Sequence, residues 1–267
     1  MSLEAHIASQ VLSDLSSVVS RASLNESLRL LCKWRCLLIQ DQFLQQHGTI
    51  VIGGPFAGMD FLTKSAEGCH IPKLLGCYEQ PLHAFIEQAI AGAYPNVVNI
   101  GSAEGYYAVG MASRMPYTKV FAYDRNPIAQ EVCEDLARKN RVSNRISLGK
   151  SFDKSDFSTF AGKKTLVICD IEGAELELLD PTHSPELLRM DLIVESHECL
   201  IPGVTQALIE RFRQSHSIEL VKDDGLRALN TTPDWFVALP HLDQLIATWE
   251  WRSGPTPWLV MHSVYGP

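Results

Sequence analysis

The chain has 267 residues, 46% of them hydrophobic and 20% charged, which excludes disorder and is long enough for one large domain or one domain with an appendage. A net charge of −8 argues against a nucleic-acid partner, which calls for a basic face. No apolar run approaches membrane-spanning length, so no membrane partner is expected either.

Residues 3–46 have helical periodicity. Ile7, Val11, Leu12, Leu15 and Val18 fit one apolar stripe, and Leu28, Leu31, Trp34, Arg35 and Leu38 fit a second. Ser23 and Glu26 give the S-x-x-E pattern of a capping box, and Gly48 ends the second helix. Cys32 and Cys36 share a face of that helix among leucines, and no second pair accompanies them at zinc-ligand spacing, so packing is expected there. The seven scattered cysteines, with no leader-like segment, predict reduced thiols and a cytoplasmic setting. Thr49-Ile50-Val51-Ile52 reads as a short strand before a glycine-rich turn. Residues 61–78 read as irregular, and Glu79 through Ala93 as a helix. Residues 1–78 thus form an N-terminal helical extension with a strand and loop segment, and 79–267 the main domain.

From residue 96 strands and helices alternate. Strands are predicted at 96–100, 119–123, 145–148, 164–169, 191–196, 217–222 and 258–263, and helices near 105–114, 127–140, 174–179, 185–189 and 203–215. This spacing predicts an α/β fold: a doubly wound, Rossmann-like, seven-stranded and mostly parallel sheet covered on both faces. Residues 223–257, with Trp235, Trp249 and Trp251, are too long for a plain connection and read as a lid or substrate-side insertion.

Two strand ends carry the chemistry. The first strand runs into Asn99-Ile100-Gly101-Ser102-Ala103-Glu104-Gly105, a tight glycine turn that opens a helix. Such a turn lies at the carboxyl edge of the sheet, where ligands bind. The second strand ends at Asp124, about 20 residues on, where an acid would hold a ribose hydroxyl pair; capping the helix that begins near Pro127 is the alternative. The fourth strand runs into Asp170-Ile171-Glu172-Gly173, two carboxylates beside a turn, while Glu175 and Glu177 read as helix-surface or first-turn acids. The fifth ends with Glu195 and His197, which alternation places on one face. If these two strands are neighbours, Asp170, Glu195 and His197 converge as an acid/base or metal site; a structural hydrogen-bonded network is the other reading.

On these motifs the chain resembles class I S-adenosylmethionine-dependent methyltransferases, and within them the FkbM-type family. The resemblance rests on the glycine turn, on Asp124, and most specifically on Asp170-Ile171-Glu172-Gly173-Ala174-Glu175-Leu176-Glu177-Leu178-Leu179, which follows D-[VI]-E-G-x-E-x-x-[VL]-L. Leu74-Leu75-Gly76-Cys77-Tyr78-Glu79 is similar to the G-x-Y-E segment of related proteins. It covers roughly residues 74–200 and departs from the family at Ala103, where the G-x-G-x-G triplet has its middle glycine; alanine fits if the backbone angle there is ordinary.

The resemblance implies S-adenosylmethionine as cofactor and oxygen methylation of a small molecule or glycan. Gly101, Ala103 and Gly105 would admit the methionine portion. Glu104 or Asn99 would meet its ammonium, Asp124 would hold the ribose hydroxyls, and Arg125 belongs to the same implied cofactor set. Lys150 and Ser151, with Asp153 as a further partner, would surround the adenine. Glu79, Asp170, Ile171 and Glu172 complete the implied cofactor set. His197 would be the general base, with Asp170 or Glu195 orienting it or holding a divalent cation. Two other readings stand beside this one. A nicotinamide-dependent oxidoreductase shares the strand, turn and acid, although the turn lacks G-x-G-x-x-G. A non-catalytic scaffold, or a homo-oligomer, would use the N-terminal helices as its interface.

Overall fold

The computed structural model describes residues 2–16, 20–65, 68–229 and 232–266. Val18 of the first predicted stripe lies outside them. The chain opens with helices α1 (Leu3–Ser16) and α2 (Arg21–His47), then α3 (Ile71–Leu75) and α4 (His83–Ala91). The alternating core follows: β1 (Asn96–Ile100), α5 (Tyr106–Arg114), β2 (Lys119–Tyr123), α6 (Pro127–Lys139), β3 (Ile146–Gly149), β4 (Thr165–Cys169), α7 (Glu175–Leu178), β5 (Asp191–Glu195), α8 (Val204–Phe212) and β6 (His216–Val221). Helices α9 (Asp234–Val237) and α10 (His241–Ala247) precede the last strand, β7 (Trp258–Ser263).

The seven strands form one sheet in the order β3-β2-β1-β4-β5-β7-β6. All pairings are parallel except those of β7, which runs antiparallel between β5 and β6. This is the doubly wound, Rossmann-like sheet that the alternation predicts. Strands β1 and β4 are buried along their whole length, as central parallel strands must be. Period-two alternation divides their side chains between two cores. Val97, Leu166 and Ile168 face one, Val98, Ile100, Val167 and Cys169 the other. Consecutive strands leave β1 in opposite directions, so the sheet's switch point lies between β1 and β4, with Ile100 level with Cys169.

The N-terminal region departs from its sequence pattern. Helix α2 begins three residues before the predicted capping box: Ser20 is the cap, its Oγ accepts from Ser23 N–H at 3.1 Å, and Ser23 returns the bond. The buried face of α2 is built from Cys36, Ile39 and Phe43, because α3 and α10 pack there; Leu28 and Leu31 are exposed, as is Leu12 on α1. Thr49–Ile52 makes a single antiparallel bridge, Ile50 to Asp60, in place of a strand, since the chain turns at once through Gly53 and Gly54. Within the stretch read as irregular, buried Ile71, Leu74 and Leu75 wind α3, started by Pro72 and ended by left-handed Gly76. Residues 36–94 share one core with β1, β2 and β4.

The segment 223–257 packs on α2. Arg35 holds Asp243 through Nε at 2.8 Å, Trp235 Nε1 donates to His47 at 2.7 Å, and Arg29 and Lys33 lie over Trp249 and Trp251.

Candidate active site

The carboxyl ends of β1, β2, β3 and β4 open a groove of about 410 Å³ at the switch point. Its floor is the glycine turn. Gly101 and Ser102 N–H both donate to Tyr123 O, and Asp170 N–H donates to Ile100 O, so the turn is sewn to the tips of β2 and β4. A Cβ on Gly101 would stand 1.6 Å from the Asp170 carbonyl oxygen, and one on Gly105 would stand 2.5 Å from Cys133 Sγ. Both glycines are therefore demanded by protein packing itself, at φ +77° and +93°. Ala103 is not in an ordinary conformation. Its φ is +43°, so the turn keeps the left-handed bend of a glycine while carrying a methyl group. Asp124 holds that bend: Oδ2 accepts from Ala103 N–H at 2.7 Å, and Oδ1 accepts from Asn126 N–H at 2.8 Å. Capping α6 falls to Asn126, which accepts from Ile128 N–H, and not to Asp124.

Gly101, Ala103, Asp124, Arg125, Lys150, Ser151, Asp153, Asp170, Ile171 and Glu172 all line the groove. Tyr123 and Phe152, in edge contact at 4.8 Å, add an aromatic wall. The structure does not bring Glu79, Asn99, Glu104 or Gly105 to that lining. Glu104 is fully buried with its Oε1 bound to Lys73 Nζ and to Ser65 Oγ, so an ammonium already sits against it. Burial would raise its pKa, but the charge and bonds of Lys73 and the Ser65 bond hold it below the usual value. Asn99 Oδ1 and Glu104 Oε2 are buried acceptors without a partner.

Beside the groove, β4 and β5 are neighbours, and the predicted convergence is present. His197 is buried, with Nε2 3.5 Å from Asp170 Oδ1, 3.4 Å from Glu172 Oε2 and 3.9 Å from Glu195 Oε2. Its Nδ1 lies 2.7 Å from Glu175 Oε1. Glu175 is therefore not a surface acid. It is fully buried, and the same oxygen also accepts from Gly173 N–H at 3.0 Å. Glu177 is exposed and lines the groove. Burial would lower the His197 pKa, but the Glu175 bond and the charges of Glu195, Glu175 and Glu172 outweigh it and raise it. Asp170 is pushed well above the usual carboxylate range, first by burial and then by the charges of Glu195, Glu79 and Glu172.

Arg252 closes the back of this cluster. It binds Glu195, and its Nη2 reaches Glu79 at 2.8 Å. Glu79 also accepts from Tyr107, which explains its absence from the groove. Sequence reasoning missed Lys73, Glu175 and Arg252. The one available signal was for Glu175, which the D-x-E-G-x-E motif includes. No helix among the described residues is long and apolar enough to cross a membrane.

No protein-family model matches the chain, and no curated protein does. Three solved structures illustrate what it is similar to. The O-methyltransferase TomG from Streptomyces achromogenes, in complex with SAM, is 12% identical with a TM-score of 0.45 over 98% of this chain and 99% of that one. The cofactor-bound protein Rv0187 from MTB is 13% identical, TM-score 0.48, over 74% and 87%. A putative O-methyltransferase from Klebsiella pneumoniae is 12% identical, TM-score 0.44, over 70% and 80%. At these values the likeness carries no weight of its own, and the chemistry is read from the site.

Proposed function

We propose that this chain is an S-adenosylmethionine-dependent methyltransferase of the FkbM type that methylates a hydroxyl oxygen on a small molecule or glycan. One observation carries the reading: a nucleoside-sized groove at the switch point is lined by Asp124 and by Asp170 and Glu172, whose carboxylates stand against buried His197. The residues fit such a cofactor. Each Asp124 oxygen accepts one backbone N–H and keeps lone pairs for ribose hydroxyls. Tyr123 and Phe152, both in the groove lining, offer aromatic surface for a base. When bound, the cofactor supplies a sulfonium methyl that needs little activation beyond an in-line nucleophile.

The chain's own residues orient the acceptor and remove its proton. Asp170 lines the groove, with buried His197 3.5 Å from it and buried Glu195 3.9 Å from His197, and an alcohol needs such help to become a nucleophile. Glu175 fixes the His197 ring, and Arg252 fixes Glu195. Thermal shift with S-adenosylhomocysteine and with NAD, each at millimolar concentration, tests the reading. Stabilisation by the first alone is expected. Stabilisation by NAD alone transfers the groove to oxidoreductase chemistry, and a response to neither removes the nucleoside from it.

A further inference from the structure

We propose that Asp170, Glu172 and His197 form a divalent-cation site beside the groove, suited to a manganese-class ion. Its catalytic use rests on the methyltransferase reading; its binding of the ion does not. The three ligand atoms lie within 4.8 Å of one another. Ligands about 2.1 Å from one ion, at right angles, stand roughly 3 Å apart. The Nε2 distances of 3.5 Å to Asp170 and 3.4 Å to Glu172 are close to that spacing before any ion draws them in.

The second observation is the orientation of the histidine. Glu175 Oε1 accepts from Gly173 N–H and stands 2.7 Å from His197 Nδ1, so the ring's proton belongs on Nδ1. A ring held this way aims Nε2 at two carboxylate oxygens. The place between these three atoms takes a positive charge, either a proton on Nε2 or a cation that all three ligate, and the binding test below tells the two apart. A carboxylate behind the far nitrogen is also the arrangement that orients metal-bound imidazoles. The nearest cation, Arg252, is bound to Glu195 and Glu79 and leaves Asp170 and Glu172 unpaired by it.

The backbone adds a third observation. Glu172 has φ +54° without being glycine, followed by Gly173 at +103°. This bend carries an otherwise exposed carboxylate back over His197. One imidazole and two carboxylates, with remaining positions open to the groove, suit a hydrated Mn²⁺ better than a closed structural site. Glu172 and Asp170 also line the groove, so the ion would face an acceptor hydroxyl there.

The test is Mn²⁺ binding to the full chain, followed by paramagnetic resonance and calorimetry, without cofactor or acceptor. One saturable site is expected, weakened at least about 10-fold by Glu172→Gln and by Asp170→Asn, and unchanged by Glu210→Gln at an exposed position of α8. Glu172 is exposed, so its variant keeps the fold, and thermal unfolding confirms this for Asp170→Asn. No saturable binding at concentrations on the order of 1 mM overturns the proposal, as does binding that both variants leave intact. In that case Nε2 carries a proton in place of a metal. S-adenosylhomocysteine binding, measured in parallel, keeps the two claims apart: its loss with Mn²⁺ binding retained sinks the methyltransferase reading and spares the cation site.

Discussion

Two groups of charges flank the glycine turn, and they are built on opposite plans. Beneath the turn, Glu104 is fully buried against one ammonium, Lys73, and its pKa falls below the usual carboxylate value. At the tips of β4 and β5, Asp170 stands among Glu195, Glu79 and Glu172, and its pKa is driven far above that value. The first group is matched charge for charge and closed to the groove. The second carries an excess of acid and opens onto it. Matched, enclosed charges hold a fold in place, while unbalanced charges at a cavity retain the affinity for protons and cations that chemistry uses.

The contrast can be broken most forcefully at Lys73. Lys73→Met leaves Glu104 buried without its ammonium and should cost about 3–5 kcal/mol in urea unfolding, most of it recovered when Glu104→Leu is added. If the single variant costs no more than an exposed substitution, the pair is not the structural element described.

A second effect comes from His70, beside the same pair. Burial first, and then the charge of Lys73, lowers its pKa to about 4. The folded state therefore binds fewer protons than the unfolded chain between about pH 6.5 and 4. Stability should fall by up to about 3 kcal/mol as pH drops through that window, and His70→Phe should flatten this part of the curve. A wild-type curve with no slope there contradicts the assignment.

The smallest effect has the opposite sign. Asp170→Asn relieves the crowded cluster and should leave stability unchanged or raise it by up to about 1 kcal/mol, while abolishing methyl transfer. Strong destabilisation would make the cluster structural, like its counterpart under the turn.

What the sequence disclosed follows the same division. The strands were legible because β1, β2 and β4 are short, mostly apolar runs between helical stretches, and Asp124 and Asp170 because they follow β2 and β4 directly. Glu195 and His197 followed from the alternation expected at this strand, although β5 stops at Glu195 and His197 lies two residues beyond it. The partners were not legible. Lys73 reaches Glu104 from 31 residues away and Arg252 reaches Glu195 from 57, distances along the chain that no local pattern spans. The ammonium expected near Glu104 exists, but Lys73 supplies it. Ala103 misled for another reason: its residue type argues for an ordinary bend, and the Asp124 bond to its N–H supports a left-handed one. On α2 a regular leucine spacing marked a face that tertiary packing leaves exposed.

Calorimetric titration with S-adenosylhomocysteine tests the central claim, that the groove between Asp124 and Asp170 holds an adenosyl cofactor. The wild-type chain should bind one equivalent, Asp124→Ala should weaken binding at least about 10-fold by losing both the hydroxyl contacts and the anchor of Ala103, and His197→Ala should bind as the wild type does. Absence of binding to the wild-type chain at millimolar ligand, or equal affinity in Asp124→Ala, would contradict it.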